Sequence, residues 1–228
     1  MTEGIFITGT DTGVGKTAVS CALLRKYVAA GSRAVGMKPV AAGGGEDNDD
    51  LAALAAAGNV DAPLSARCPY AFADAIAPHL AARAAGVAID LHRIKRSYQE
   101  LSARADRVVV EGAGGALAPL SDRTDMLDIA RALALPVLMV VGVRLGCLNH
   151  ALLTSLAIRA RGLTLVGWIA NSIDPAMMCQ DENVGTLERH LSAPRIASIR
   201  WGHSDAPEWS SIDAIEARAN FSSRRDPC

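Results

Sequence analysis

The sequence predicts an α/β fold in which a mostly parallel sheet carries helices on both faces, and three observations lead there. Short β-rich runs alternate with longer stretches of helical period, the pattern of β-α units rather than hairpins. The runs Val108-Val109-Val110 and Val137-Leu138-Met139-Val140-Val141 are continuously apolar instead of alternating, as strands covered on both faces are. The first run, Ile5-Phe6-Ile7-Thr8, leads through a glycine-rich segment into a stretch of alanines and leucines, a strand, loop and helix in series.

Strands are expected at 5–8, 34–40, 107–111, 136–141, 165–171 and 195–199. Helices are expected at 17–30, stopped by Gly31, and at 49–57, 91–105, 124–133, 148–161 and 181–191, with Gly162 as the stop of the fifth. The run Gly43-Gly44-Gly45-Glu46-Asp47-Asn48 reads as a flexible loop. Residues 1–219 are expected to form one domain, and residues 220–228, poor in apolar side chains, a flexible tail. Ligands of such folds sit at the carboxyl ends of the strands, so the residues just after each strand are where function is sought.

With 228 residues, half of them apolar, the chain can bury a core without metals or disulfides. A net charge of -1 leaves no basic excess for nucleic acid or an anionic membrane, so a small molecule is the expected partner. The five cysteines form no C-x-x-C pair and read as free thiols in a reducing compartment. The N-terminus lacks the pattern of a secretory signal, and no apolar run approaches the roughly 18 residues of a membrane span. A cytoplasmic protein is expected.

Gly9-Thr10-Asp11-Thr12-Gly13-Val14-Gly15-Lys16-Thr17 leaves a strand and opens a helix. There backbone N–H groups and the helix dipole suit phosphates, which makes this a P-loop NTPase domain binding a triphosphate, ATP foremost, with Mg²⁺. Gly13, Val14, Gly15, Lys16, Thr17 and Ala18 are the expected nucleotide contacts, with Lys16 on the β and γ phosphates and the Thr17 hydroxyl on Mg²⁺. Gly9 stands one residue further from the Gly-Lys pair than the usual spacing, with Thr10 where a glycine is expected. Mg²⁺ on phosphates takes one or two carboxylates. Glu111, at a strand end before Gly112-Ala113-Gly114-Gly115, is the foremost candidate, whereas Asp47, Asp49 and Asp50 precede a helix and could equally be caps. Lys38, followed by Pro39, stands at the ligand edge of the second strand.

The phosphate loop, Lys38-Pro39-Val40, Val110-Glu111-Gly112-Ala113-Gly114-Gly115 and Leu145-Gly146-Cys147-Leu148-Asn149-His150 occur together in that order, and in this the chain resembles the dethiobiotin synthetases. The resemblance runs over about residues 4–171, more loosely to 201, and includes the irregular loop spacing. It implies a homodimeric, ATP- and Mg²⁺-dependent ligase that closes the ureido ring of dethiobiotin from diaminopelargonic acid and CO₂, the penultimate step of biotin synthesis. By position, Thr17, Asp50 and Glu111 would bind Mg²⁺, Lys16 and Lys38 would hold phosphate and carbamate as the catalytic lysines, and Thr12 would lie near the phosphates. Gly146, Cys147, Leu148 and Asn149 would come from the partner subunit to hold the substrate's carboxylate tail, Pro78 would line the substrate pocket, and Asn171 would meet the base.

A helix start offers free N–H groups to a carboxylate, although Asn149 could be a plain cap and Cys147 a packing residue. Asn171-Ser172-Ile173-Asp174 also resembles a guanine-reading spacing, with Ser172 in place of the lysine, which leaves GTP open beside ATP. Ala42 stands where the family offers a hydroxyl, Arg200 stands where a proline precedes the tryptophan, and His79 reads as packed rather than catalytic. Two other readings share the loop and sheet: a regulatory or partitioning ATPase switch, and another ATP-dependent ligase of related fold.

Overall fold

The computed structural model describes residues 3–203 and 207–210; the tail expected at 220–228 lies outside the described residues. In chain order the elements are β1 (Glu3–Gly9), α1 (Lys16–Ala29), β2 (Ala34–Met37), β3 (Val40–Ala42), a 3₁₀ turn (Gly45–Asp47), α2 (Asp49–Ala57), α3 (Leu64–Arg67), β4 (Tyr70–Phe72), α4 (Pro78–Ala84), α5 (Leu91–Ser102), β5 (Arg107–Glu111), α6 (Met126–Ala132), β6 (Val137–Val143), α7 (Cys147–Ala160), β7 (Leu165–Ser172), α8 (Gln180–His190), β8 (Arg195–Ile199) and β9 (Glu208–Trp209).

Seven strands form the main sheet in the order β2-β5-β1-β6-β7-β8-β9. All neighbours are parallel except β8 and β9. The strands alternate their side chains between two apolar cores. Phe6, Val108, Val110, Met139 and Trp168 pack with Ile94, Leu127, Ile158 and Leu187 of α5 to α8 on one face. Ile5, Ile7, Val109, Leu138 and Ile169 pack with Val19, Leu23 and Leu54 of α1 and α2 on the other. Burying each such aliphatic side chain stabilises the fold by roughly 1.5–3 kcal/mol, so both faces must be covered. No helix among the described residues is long and apolar enough to cross a membrane.

The second strand, expected as one run over 34–40, is broken. β2 ends at Met37, and β3 leaves the main sheet to pair with β4. Pro39 has no N–H to give a ladder, and the N–H of Lys38 turns to the carbonyl of Arg67 at 2.9 Å. The break frees the Lys38 side chain to point along the carboxyl edge instead of lying on a sheet face. A cavity of about 250 Å³ between β2 and α2, bordered by Gly36, Leu54, Asn59 and Arg67, contains none of the expected site residues.

Candidate active site

The expected site residues gather at the carboxyl ends of the central strands. β1 runs into the phosphate loop, β2 into Lys38, β5 ends on Glu111, and β6 is followed by Arg144 and Gly146. Gly15 has φ +89, and a Cβ there would come within 2.2 Å of Asn171 Nδ2; both the left-handed backbone and the missing side chain are needed. Asn171 Nδ2 donates to Val14 O at 2.8 Å, so the proposed base-contacting amide also pins the loop to β7. The Val14 side chain is buried, wedged where Gly9 and Gly142 leave room: a Cβ on them would meet it at 2.6 and 2.8 Å respectively. Thr12 and Gly13 are exposed at the loop's crest, and Ala18 is half-buried in the first turn of α1.

Lys16 Nζ donates to Asp11 O at 2.9 Å. Burial lowers its pKa to about 8, against the attraction of Glu111. Lys38, Asp50 and Glu111 form a tighter group. Lys38 Nζ lies 2.5 Å from Asp50 Oδ2 and 2.6 Å from Glu111 Oε1. Burial alone would depress the Lys38 pKa, but Glu111 and Asp50 outweigh it and raise it. Burial likewise works against the Asp50 carboxylate, yet its hydrogen bond from Lys38 leaves its pKa lowered.

Thr17 Oγ1 lies 2.9 Å from Asp50 Oδ1 and 2.8 Å from Glu111 Oε1. A hydroxyl has one hydrogen, so one of these contacts sets a lone pair against a carboxylate. Glu111 Oε2 is buried with no hydrogen-bond partner. An unmatched carboxylate oxygen and an overcommitted hydroxyl beside it are what a divalent cation would relieve. Among the described residues no group of three or more His, Cys, Asp and Glu forms a metal cage. Two carboxylates and a threonine do suit Mg²⁺, which fills its other positions with phosphate oxygens and water.

The cap sets the three aspartates apart. Asn48 caps α2, accepting from the N–H of Asp50 at 3.1 Å and of Leu51 at 3.3 Å, while Asp47 and Asp49 are exposed. Only Asp50 turns toward Thr17 and Lys38.

The other edge is open. Gly146, at φ +95, precedes α7. Cys147 is buried as a packing residue, Leu148 packs partly against the core, and Asn149 is exposed. Asn149 does not cap the helix among the described residues. Leu145, Leu153 and Leu156 are exposed on or beside the same helix. Pro78 is buried as the first residue of α4, which packs on β3. Sequence reasoning missed Arg144, whose Nη2 meets Asp11 Oδ2 at 2.6 Å and so joins the phosphate loop to the β6–α7 connection. A cation just past a strand end on the ligand edge was the available signal.

A family model described as AAA domain matches residues 3–208. The ATP-dependent dethiobiotin synthetase BioD of Nitrosospira multiformis is 50% identical over 225 residues, 98% of this chain and 99% of the relative. That of Aromatoleum aromaticum is 52% identical over 199 residues, 85% of this chain and 88% of the relative. The chain belongs to the dethiobiotin synthetase family. The MinC:MinD cell division protein complex of Aquifex aeolicus aligns with a TM-score of 0.58 at 18% identity, over 99% of this chain and 98% of that one. The signal recognition particle receptor FtsY of Elizabethkingia anophelis aligns with a TM-score of 0.57 at 15% identity, over 95% of this chain and 65% of that one. At such identities the likeness speaks for the P-loop NTPase fold alone, and a partitioning switch gains nothing from it. Within the dethiobiotin synthetase family, the buried ion group around Lys38 is the feature of this chain that asks for chemistry.

Proposed function

We propose that the chain is a Mg²⁺- and ATP-dependent ligase that joins diaminopelargonic acid and CO₂ into dethiobiotin, releasing ADP and phosphate. The observation that carries this is the meeting of Asp50 and Glu111 on Thr17 and of Lys38 on both carboxylates, with Lys16 beside them, at the mouth of the phosphate loop. The ligase unit spans residues 1–219, and its place is the cytoplasm.

The chemistry joins anions that repel each other. One substrate amine adds to CO₂, giving a carbamate and a proton. A carbamate oxygen takes the γ-phosphoryl group as ADP leaves. The second amine then attacks the carbonyl carbon, forming the ring C–N bond as the C–O bond to phosphate breaks. Thr17, Asp50 and Glu111 would hold Mg²⁺, which when bound would supply positive charge at the phosphates. Lys16 answers the β and γ phosphates, Lys38 the carbamate, and Thr12 offers a hydroxyl at the loop's crest; fixed positive charge and positioning carry phosphoryl transfer without a nucleophilic side chain. Asn171 meets the adenine with the part of its amide not used on Val14.

Gly146 to Asn149 would receive the substrate carboxylate of the other subunit in a homodimer, with Pro78 lining the pocket. What supports the dimer is the exposed apolar row Leu145, Leu153 and Leu156 continuous with that helix start. Purified protein given Mg-ATP, bicarbonate and diaminopelargonic acid should yield dethiobiotin and ADP in equal amounts. Folded, ATP-binding protein that makes no dethiobiotin would sink the proposal.

A further inference from the structure

The carboxylates read as metal ligands are already serving another cation. Of their four oxygens, Asp50 Oδ2 and Glu111 Oε1 touch Lys38 Nζ, Asp50 Oδ1 and Glu111 Oε1 touch Thr17, and Glu111 Oε2 alone is left over. Lys38 is 5% exposed and Glu111 0%, so their contact is screened from water, while the Asp50 side chain, 40% exposed, opens the group to solvent on one side. A dication beside Thr17, on Asp50 Oδ1 and Glu111 Oε1, would repel an ammonium that already holds Glu111 Oε1. At that shared oxygen the two cations compete.

The lysine is built to move. Its backbone is fixed by the bond from its N–H to Arg67 O at 2.9 Å and by the proline that follows, while its four-carbon stem leaves the amine free to swing. We propose that Lys38 is the resident counter-ion of Asp50 and Glu111, holding them in ligand position until a divalent cation displaces it toward the reacting anion. This rests on the reading of Thr17, Asp50 and Glu111 as the metal site. Its consequence is an order of events: the lysine becomes available to the carbamate only once the metal has arrived, so the cation both fills its own site and arms the second one.

The test is Mn²⁺ binding to the full chain without nucleotide, read from the free-ion electron paramagnetic resonance signal. Lys38→Met should bind Mn²⁺ about tenfold or more tightly than wild type, whereas Lys16→Met, which removes the same charge without freeing a carboxylate oxygen, should gain only about twofold. Equal gains, or no gain in Lys38→Met, would overturn the exchange. Should Lys38→Met fail to fold, the wild type decides: saturating Mn²⁺ should speed labelling of Lys38 by an amine-reactive reagent several-fold, and unchanged labelling with Mn²⁺ bound would overturn the proposal. The underlying metal reading fails separately, and takes the exchange with it, if Asp50→Asn and Glu111→Gln leave Mn²⁺ affinity intact.

Discussion

On the β2–β5 side of the site, Lys38 and Glu111 are buried, paired and bonded to Asp50 and Thr17 at 2.5–2.9 Å. Across β1, on the β6–α7 side, Gly146 and Asn149 face solvent beside exposed leucines. The first half is complete within one chain; the second stands open to solvent. On the proposed function, folding prepares the charged part of the reaction and assembly the tail-binding part.

The comparison breaks first at Glu111. Glu111→Ala should abolish turnover and leave the buried Lys38 ammonium with Asp50 as its remaining partner, costing about 1–3 kcal/mol and lowering Tm by on the order of 5 °C for a chain of this size; calorimetry showing an unchanged Tm would mean that the ion group contributes nothing to folding. Lys38→Ala should be destabilising for the mirror-image reason, and saturating Mg²⁺ should restore part of the loss by mass action.

Next comes assembly. Lys38→Ala and Asn149→Ala, each impaired alone, should regain activity when co-refolded, because a mixed dimer contains one site with both residues intact. No recovery would put both halves of the site in the same subunit.

A third effect separates stability from binding through Lys16. Its folded pKa of about 8 lies below its ordinary 10.5, so between those values the unfolded chain binds more protons and the Lys16 contribution to stability rises with pH. ATP affinity should move the opposite way, falling above about pH 8 as the ammonium that meets the phosphates is lost. Calorimetric titration across about pH 7 to 9.5, a range that brackets that pKa, checks this, and flat affinity would remove Lys16 from the phosphates. Smallest of all should be Arg144→Ala, since the half-exposed pair with Asp11 is worth about 0–1 kcal/mol; a Tm shift beyond about 3 °C would make that link structural.

The sequence announced the scaffold well where an element was long or doubly buried. The strand over Arg107–Glu111 and the helix over Asp49–Ala57 match the expected bounds. α3, α4, β3 and β4 are three to seven residues long, too short to display a period. β2 stopped early because of a proline already visible at 39. Within the site, the glycine-rich loop, Lys38 and Glu111 were legible as residue types at strand ends. Asp50 was separable from its neighbours only by resemblance, because the capping asparagine that aims it at Thr17 and Lys38 acts through geometry. The pairings Lys38–Asp50, Asn171–Val14 and Arg144–Asp11 join positions 12, 157 and 133 apart, and no local pattern encodes such distances.

The wedge of Val14 between Gly9 and Gly142, with Asn171 holding the Val14 carbonyl, has a kinetic meaning. A cradle fixed by its own floor has little ordering left to do when a triphosphate enters. Nucleotide capture should then run at a rate set by encounter rather than by loop rearrangement.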